Sequence, residues 1–184
     1  MKKLYLIISI IFILSSCRQS REERLSELHD SQSKYEQGIS QEHKILIENI
    51  FNNDKYYETL DLEHKNNVLV MTELRGEIIP YVTINNKLSE IGFNILYDSN
   101  KLDYIVCVKY KGIKAGNYSD GSNAWDTQTE VYVIETSTNT SKLIATHLDK
   151  SPETISKPRN STHNDYGSRG LEGNDLIDFI KNKI

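Results

Sequence analysis

The side chains best suited to chemistry are concentrated in one stretch of the chain, residues 110–126. This stretch holds three of the nine glycines and the only tryptophan. Tyr118 and Trp125 offer rigid aromatic contact area, and the carboxylates of Asp120 and Asp126 offer hydrogen-bond acceptors. The stretch is either a binding loop that uses these four side chains or a long connection between two strands. In the second case the glycines supply positive φ and Trp125 packs at the sheet edge.

Metal chemistry has little support in the sequence. Calcium takes several oxygen ligands, often from glycine-containing loops, and Asp120-Gly121-Ser122 offers some of them. The twelve-residue loop with alternating acidic residues and a closing glutamate is absent. Zinc needs three or four converging ligands, and none of the five histidines lies in a His-x-x-x-His or His-Glu-x-x-His arrangement. The sequence therefore predicts no metal and no cofactor.

The motifs of the common enzyme classes are also absent. The chain has no Gly-x-Ser-x-Gly elbow, no phosphate-binding glycine loop followed by lysine and no dinucleotide fingerprint. Asp120 and Asp126 could act as a carboxylate pair if folding sets them at a suitable separation. With His147 or His163 from the segment 147–165, they would form the site of an exported hydrolase. That hydrolase is the alternative to a non-catalytic protein.

The beginning of the chain has the order of features found in lipoprotein precursors. Met1-Lys2-Lys3 precedes an almost unbroken apolar run that ends in Leu14-Ser15-Ser16-Cys17. This order resembles the lipobox of bacterial lipoproteins, which implies a signal peptide over residues 1–16 and a lipid on Cys17. The apolar run has about a dozen residues, whereas a membrane span needs roughly 20. A plain secretory signal, the other alternative, prefers an Ala-x-Ala-like cleavage site.

The same resemblance implies a location in the cell envelope. Bacterial lipoproteins typically carry two or three acyl chains, and one chain alone binds a membrane only marginally. Arg18 rather than aspartate follows the cysteine, which in enterobacterial-type sorting implies release to the outer membrane, facing the periplasm. In a source with a single membrane, the anchor would hold the protein on the outer face of the plasma membrane.

The charge of the chain argues against nucleic acid as a partner. The 184-residue chain has a formal charge of −4, and removal of residues 1–16 discards two of 22 basic side chains and none of 26 acidic ones. The mature chain therefore carries −6. Nucleic acid attracts clustered lysine and arginine. Attachment to the membrane would likewise depend on the lipid at Cys17 rather than on charge.

A lipid on Cys17 would leave Cys107 as a single thiol and exclude an intramolecular disulfide. Cys107 lies in the apolar run 104–108, which is typical of a buried strand, where a thiol packs as a small hydrophobic group. A reactive thiol or an intermolecular pairing is the alternative.

Residues 18–39 are dominated by Arg, Glu, Gln, Ser and Asp, with only scattered apolar side chains. Such a segment buries too little apolar surface to fold independently. We predict a lipidated cysteine and polar tether over 17–39, flexible and in part helical. As a coil of about 20 residues its ends would lie roughly 25 Å apart, enough to let a domain stand clear of the lipid headgroups. Residues 40–184 suit one compact domain.

Helical and strand patterns alternate in this domain. The order is helix, strand, helix, four strands and helix, at 41–52, 67–72, 81–91, 93–97, 103–114, 130–136, 142–147 and 176–184. Residues 151–174 form a polar excursion. Asn139 can adopt the positive φ of a hairpin loop between the last two strands.

The order of elements predicts an α+β, or α/β, fold. A helix between the first two strands favours a parallel crossover, and the short connections between later strands favour antiparallel hairpins. We expect a mixed sheet of about five strands with helices packed mainly on one face. Residues 68–72, 104–108 and 131–134 should be its most buried strands.

Residues 66–148 resemble a class of envelope lipoprotein domains that includes the curli-secretion lipoprotein, the penicillin-binding-protein activator lipoproteins and the amino-terminal domain of TolB. The shared features are a first strand, a helix that ends in Ile91-Gly92-Phe93, and strands at 103–106 and 131–136. The glycine that the class commonly has in its hairpin is replaced here by polar residues. The resemblance implies an assembly, pore or regulatory role. We therefore expect a membrane-anchored, non-catalytic module that binds an envelope protein or a cell-wall partner.

Overall fold

The structure is a computed structural model that describes residues 21–52, 62, 64–119, 121–153 and 166–184. These residues form a mixed sheet of seven strands, two of them only two residues long, flanked by helices. The predicted α+β class is confirmed.

The described residues form four helices and seven strands. Helix α1 covers residues 21–38 and is followed by α2, Gln41–Asn52. The later elements are β1 (Asn67–Leu74), β2 (Glu77–Pro80), α3 (Val82–Glu90), β3 (Asn94–Ile95), β4 (Tyr104–Asn117), β5 (Asn123–Glu135), β6 (Thr140–Asp149), β7 (Tyr166–Gly167) and α4 (Gly173–Lys183).

The main strands lie in the order β2-β1-β4-β5-β6. β1 is parallel to β3, as the helix between them predicts, and it is also parallel to β4, whereas β4, β5 and β6 form antiparallel hairpins. The last hairpin turn contains Asn139 at φ 54°, the positive value expected for it. β3 pairs with the first two residues of β1, and β7 pairs with β5 at Ala124 and Trp125.

The core has two layers, one on each face of the sheet. Val106 and its same-face neighbours are covered by α3 and α4, whereas Ile105 and Cys107 are covered by α2 and the end of α1. The predicted buried runs 68–72, 104–108 and 131–134 are almost completely buried, with Thr72 the most exposed of their residues at 8%. Successive strand residues point to opposite faces, so an unbroken apolar run needs cover on both. The expectation of helices mainly on one face is corrected accordingly.

The residues before position 40 include a helix, and the end of this helix packs on the core. Residues 21–38 are helical, and Tyr35 and Ile39 are only 5% and 4% exposed, in the layer beside α2. These two side chains lie four residues apart, which places them on one face of the helix end. The packed part of the chain therefore begins before residue 40, where the sequence placed the start of the domain.

The stretch 110–126 is a β-hairpin rather than a loop. β4 and β5 remain paired as far as Asn117 and Asn123, with one irregularity between Lys114 and Gly116. The Tyr118 N–H closes the turn by donating to the Ser122 carbonyl at 2.9 Å. We call the outer part of this hairpin, residues 111–128, the β4–β5 arm.

Candidate functional site

Three of the four side chains predicted to bind a partner lie within the described residues, and Asp120 lies outside them. Trp125 is half-buried in β5, opposite Lys114 on β4 and Gly167 on β7. A Cβ atom added at Gly112 or Gly167 would lie 3.6 Å or 3.5 Å from Trp125 side-chain atoms. The tryptophan therefore packs between strand positions kept small by glycine.

Tyr118 and Asp126 hold the chain that leaves β6 against the arm. The Tyr118 hydroxyl donates to the Pro152 carbonyl at 2.7 Å. Asp126 Oδ1 accepts the Ser151 N–H at 2.8 Å and the Ser151 hydroxyl at 3.0 Å. These two hydrogen bonds lower the pKa of Asp126, and the bond from the Ser151 N–H has the larger effect. Both side chains thus have partners within the fold.

The arm presents a different set of side chains to solvent. Residues 112–115 are all exposed, so both faces of β4 are open there. Ile113 has the only large apolar side chain in this run, and it is 42% exposed. Because both strands of the arm are hydrogen-bonded, its backbone is fixed and Ile113 and Lys114 are presented on a preorganised surface.

A buried carboxylate stabilises the base of the arm. Glu130 is 3% exposed, and its Oε1 accepts hydrogen bonds from Lys111 Nζ at 3.0 Å and Gln128 Nε2 at 2.6 Å. Its Oε2 accepts the Tyr132 hydroxyl at 2.8 Å. A buried charge with three donors is a satisfied structural group, and its network fixes the arm relative to the core.

A polar pocket of about 400 Å³ lies at the start of α2. Its central group is His43, a histidine that the sequence did not single out, and it is 6% exposed. His43 Nδ1 lies 2.9 Å from Ser99 Oγ and 3.1 Å from Ser40 Oγ, and Nε2 lies 3.3 Å from the Thr136 carbonyl oxygen. A carbonyl only accepts, so in the neutral ring Nε2 carries the proton and Nδ1 accepts from a serine hydroxyl.

The serine, histidine and carbonyl groups of this pocket resemble a catalytic arrangement, and the same groups also stabilise the start of α2. A hydroxyl, an imidazole and a group that orients the imidazole form the arrangement of a serine nucleophile. The same atoms also cap α2, because Ser40 Oγ accepts the His43 N–H at 3.3 Å and Ser99 Oγ accepts the Ser40 N–H at 2.8 Å. The Ser99 oxygen therefore already accepts one hydrogen bond and lies beside a base.

An apolar groove of about 570 Å³ lies between α1, the β1–β2 hairpin and α3. We call it the α1 groove. Its apolar walls include Leu28, Leu74, Ile79, Tyr81, Val82 and Tyr110. Its charged lining residues are Arg24, Glu27, Glu73 and Lys87.

The other candidate groups are dispersed. Within the described ranges, no three His, Cys, Asp or Glu side chains are placed to hold a metal ion. Cys107 is completely buried, which raises the pKa of its thiol and leaves it packed as a hydrophobic group. His147 is exposed on β6, whereas His163 and Cys17 lie outside the described residues.

No protein-family model and no curated protein sequence matches this chain. Of the helices in the described part of the chain, none combines the length and the apolar character needed to cross a bilayer. The function of the protein is therefore inferred from its own residues.

Proposed function

We propose that the protein is a lipid-anchored lipoprotein of the bacterial envelope and a non-catalytic binding or assembly module. The anchor is proposed from Leu14-Ser15-Ser16-Cys17 at the end of the apolar run. It would hold the domain on the outer membrane facing the periplasm, or on the outer face of the plasma membrane in a single-membrane source. The partner would be an envelope protein or a cell-wall component.

The observation that carries the binding role is the exposed and rigid β4–β5 arm. Residues 112–115 are four consecutive exposed residues of one strand, and the pairing of β4 with β5 on both sides of the irregularity between Lys114 and Gly116 holds them in place. Ile113 supplies an apolar anchor and Lys114 a neighbouring charge. Tyr118, Trp125 and Asp126 lie on the same arm and are partly exposed, so they remain part of the proposed contact surface.

Cross-linking in intact cells tests this proposal. A photo-reactive amino acid at position 113 should give a discrete cross-linked species that mass spectrometry can identify. The matched control is position 45 on α2, because Ile45 is 47% exposed, close to the 42% of Ile113. Ile113→Glu should then remove the cross-linked or co-purified partner, whereas Ile45→Glu should retain it. A partner captured equally at both positions, or kept by Ile113→Glu, would reject the arm as the contact surface.

A second candidate function, an exported hydrolase, is favoured by the hydrogen-bonded pair of Ser99 and His43. The carboxylate and histidine site considered from the sequence has less support, because Asp126 is bonded to Ser151. A fluorophosphonate probe decides between the two functions: an activated serine oxygen attacks phosphorus, its proton passes to His43 and fluoride leaves. We expect no labelling of the mature protein. Labelling that disappears in Ser99→Ala would reject the non-catalytic binding module and support a hydrolase.

A further inference from the structure

The α1 groove plays no part in the binding surface proposed above. Leu74 on its rim is 53% exposed, and the side chains of Leu28, Ile79 and Val82 continue the apolar surface into the groove. Ligand sites are typically clefts of about 300–1,000 Å³ with mostly apolar walls, and this groove of about 570 Å³ falls within that range. The question is therefore which ligand the groove takes up.

The groove lies close to the residue proposed to carry the lipid. Residue 21, where the described part of α1 begins, follows Cys17 by four residues. A chain extends at most about 3.6 Å per residue, so the two lie no more than about 14 Å apart. The helix then rises about 1.5 Å per residue, or roughly 11 Å from residue 21 to Leu28. The α1 wall of the groove is therefore within about 25 Å of the anchoring cysteine.

The junction between α1 and the domain is rigid. Tyr35 and Ile39 are buried, and the Ser99 N–H donates to the Gly38 carbonyl at 3.1 Å. A side chain at Gly38 would collide with the Tyr97 carbonyl, so the helix end and this loop are in close contact. Lys44 Nζ also donates to the Glu36 carbonyl at 2.7 Å. A domain joined in this way stays near its anchor, unlike one on a flexible coil.

We propose that the α1 groove docks onto the membrane and takes up an acyl chain of a zwitterionic bilayer phospholipid. The proposal rests on the proposed function, because the nearness of the bilayer depends on the lipid at Cys17. Tyr81 is partly exposed on the groove wall and suits this position, since tyrosine is enriched at the membrane–water interface. Two basic and two acidic side chains line the groove, so the lining has no net formal charge that would attract anionic lipids.

Photo-cross-linking of the full-length lipidated protein, reconstituted in vesicles of deuterated phosphatidylethanolamine, tests the proposal. A photo-reactive residue at position 83, which lines the groove, should add the mass of a deuterated lipid. Position 45, on exposed α2 surface, should not. Leu74→Glu should lower the yield at position 83 roughly tenfold, because a charge opposes insertion of an acyl chain. Ile91→Glu, a change outside the groove lining at a residue that is 46% exposed against 53% for Leu74, should leave the yield unchanged.

Each other outcome overturns the docking of a bilayer lipid. An undeuterated acyl adduct would assign the groove to the protein's own anchor, and a protein adduct in cells would assign it to a partner. Absence of any adduct in a vesicle-bound protein would reject the groove while leaving the anchor intact. A protein that lacks lipid on Cys17 when it is purified would reject the proposed function itself.

Discussion

The side-chain amide of Asn85 forms the two hydrogen bonds with the Val70 backbone that a neighbouring strand would otherwise form. β1 is paired on one side with β3 at its start and with β2 at its end, and Val70 lies between these two segments. The Asn85 Oδ1 accepts the Val70 N–H at 2.9 Å, and Nδ2 donates to the Val70 carbonyl at 3.0 Å. One amide thus satisfies a donor and an acceptor in the core, where unpaired groups are costly.

Replacement of Asn85 by alanine should therefore lower the free energy of unfolding by about 2–3 kcal/mol, because the Val70 N–H loses its buried partner. The Val70 carbonyl keeps the Tyr81 N–H at 2.8 Å, which limits the loss. Urea denaturation measures the change. Asn86→Ala, at the exposed neighbouring position, should change stability by less than about 0.5 kcal/mol. Equal effects of the two changes would contradict the role given to Asn85.

Asp126 should make stability depend on pH in the acidic range. Its pKa in the folded protein is lowered by Ser151, so ionised Asp126 stabilises the fold above its unfolded pKa of about 4. This contribution is lost as the pH falls through the lower folded pKa. The difference in urea midpoint between wild type and Asp126→Asn should be largest near neutral pH and shrink below pH of about 4. Asp178→Asn, on the exposed surface of α4, is the control, and an Asp126 effect that is constant with pH would refute the argument.

At the scale of elements, helix α1 is an extension of the domain rather than a separate tether. Its composition is polar because its fully buried side chains are confined to its end, at Tyr35 and, just beyond the helix, Ile39. The preceding turns expose side chains such as Leu25, which is 57% exposed. Tertiary packing of one turn thus anchors a helix whose sequence has no sustained apolar stripe.

Tyr35→Ala should detach this helix end from the core. Truncation of a buried aromatic side chain costs about 3–5 kcal/mol when the site cannot collapse, and here part of that loss appears as local opening. Trypsin should then cut after Lys34 much faster than in wild type, as measured by mass spectrometry of timed digests. Leu25→Ala removes an exposed side chain from the same helix and should leave the rate unchanged. Fast cleavage after Lys34 in the wild-type protein would instead support a flexible tether over residues 17–39.

At the scale of the whole molecule, the arm and the α1 groove are at the same end of the sheet. β1 and β4 are parallel, and the β1–β2 turn and the arm follow their carboxyl ends. Tyr110 joins the two features, since it lies in β4 and also lines the groove. A domain docked through its groove would hold the arm near the bilayer. We therefore expect a partner that is itself associated with the membrane.

The lipid anchor is tested on the entire chain. Cys17→Ser should abolish incorporation of a labelled fatty acid and leave an unprocessed or soluble form, because no other cysteine is available for acylation. Cys107→Ala is the matched control: this thiol is completely buried, and its removal should leave labelling and membrane fractionation intact. A Cys17→Ser protein that is processed normally and stays with the membranes would refute the lipoprotein.

The sequence by itself determined the elements whose own pattern is strong. The apolar runs at 68–72, 104–108 and 131–134 predicted the buried strands, and the spacing of Ile84 and Leu88 predicted α3. The helix pattern also included Val82 and Ile91, and Ile91 is 46% exposed just after the helix ends. Each of these signals is local: burial of one face or both imposes a period on neighbouring residues. The positive φ of Asn139 was also predicted from a local signal, because hairpin loops often need positive φ and asparagine tolerates it.

Only the tertiary structure decided which surfaces and sites exist. Neither β2 nor the arm has a strong apolar period. β2 forms because the turn at Arg75 and Gly76 folds the chain back onto β1, and the two strands of the arm are held by hydrogen bonds to each other. His43 meets Ser99 across 56 residues, and the α1 groove gathers side chains from two helices and three strands. Such sites arise from contacts between segments distant in sequence, and no local spacing records those contacts.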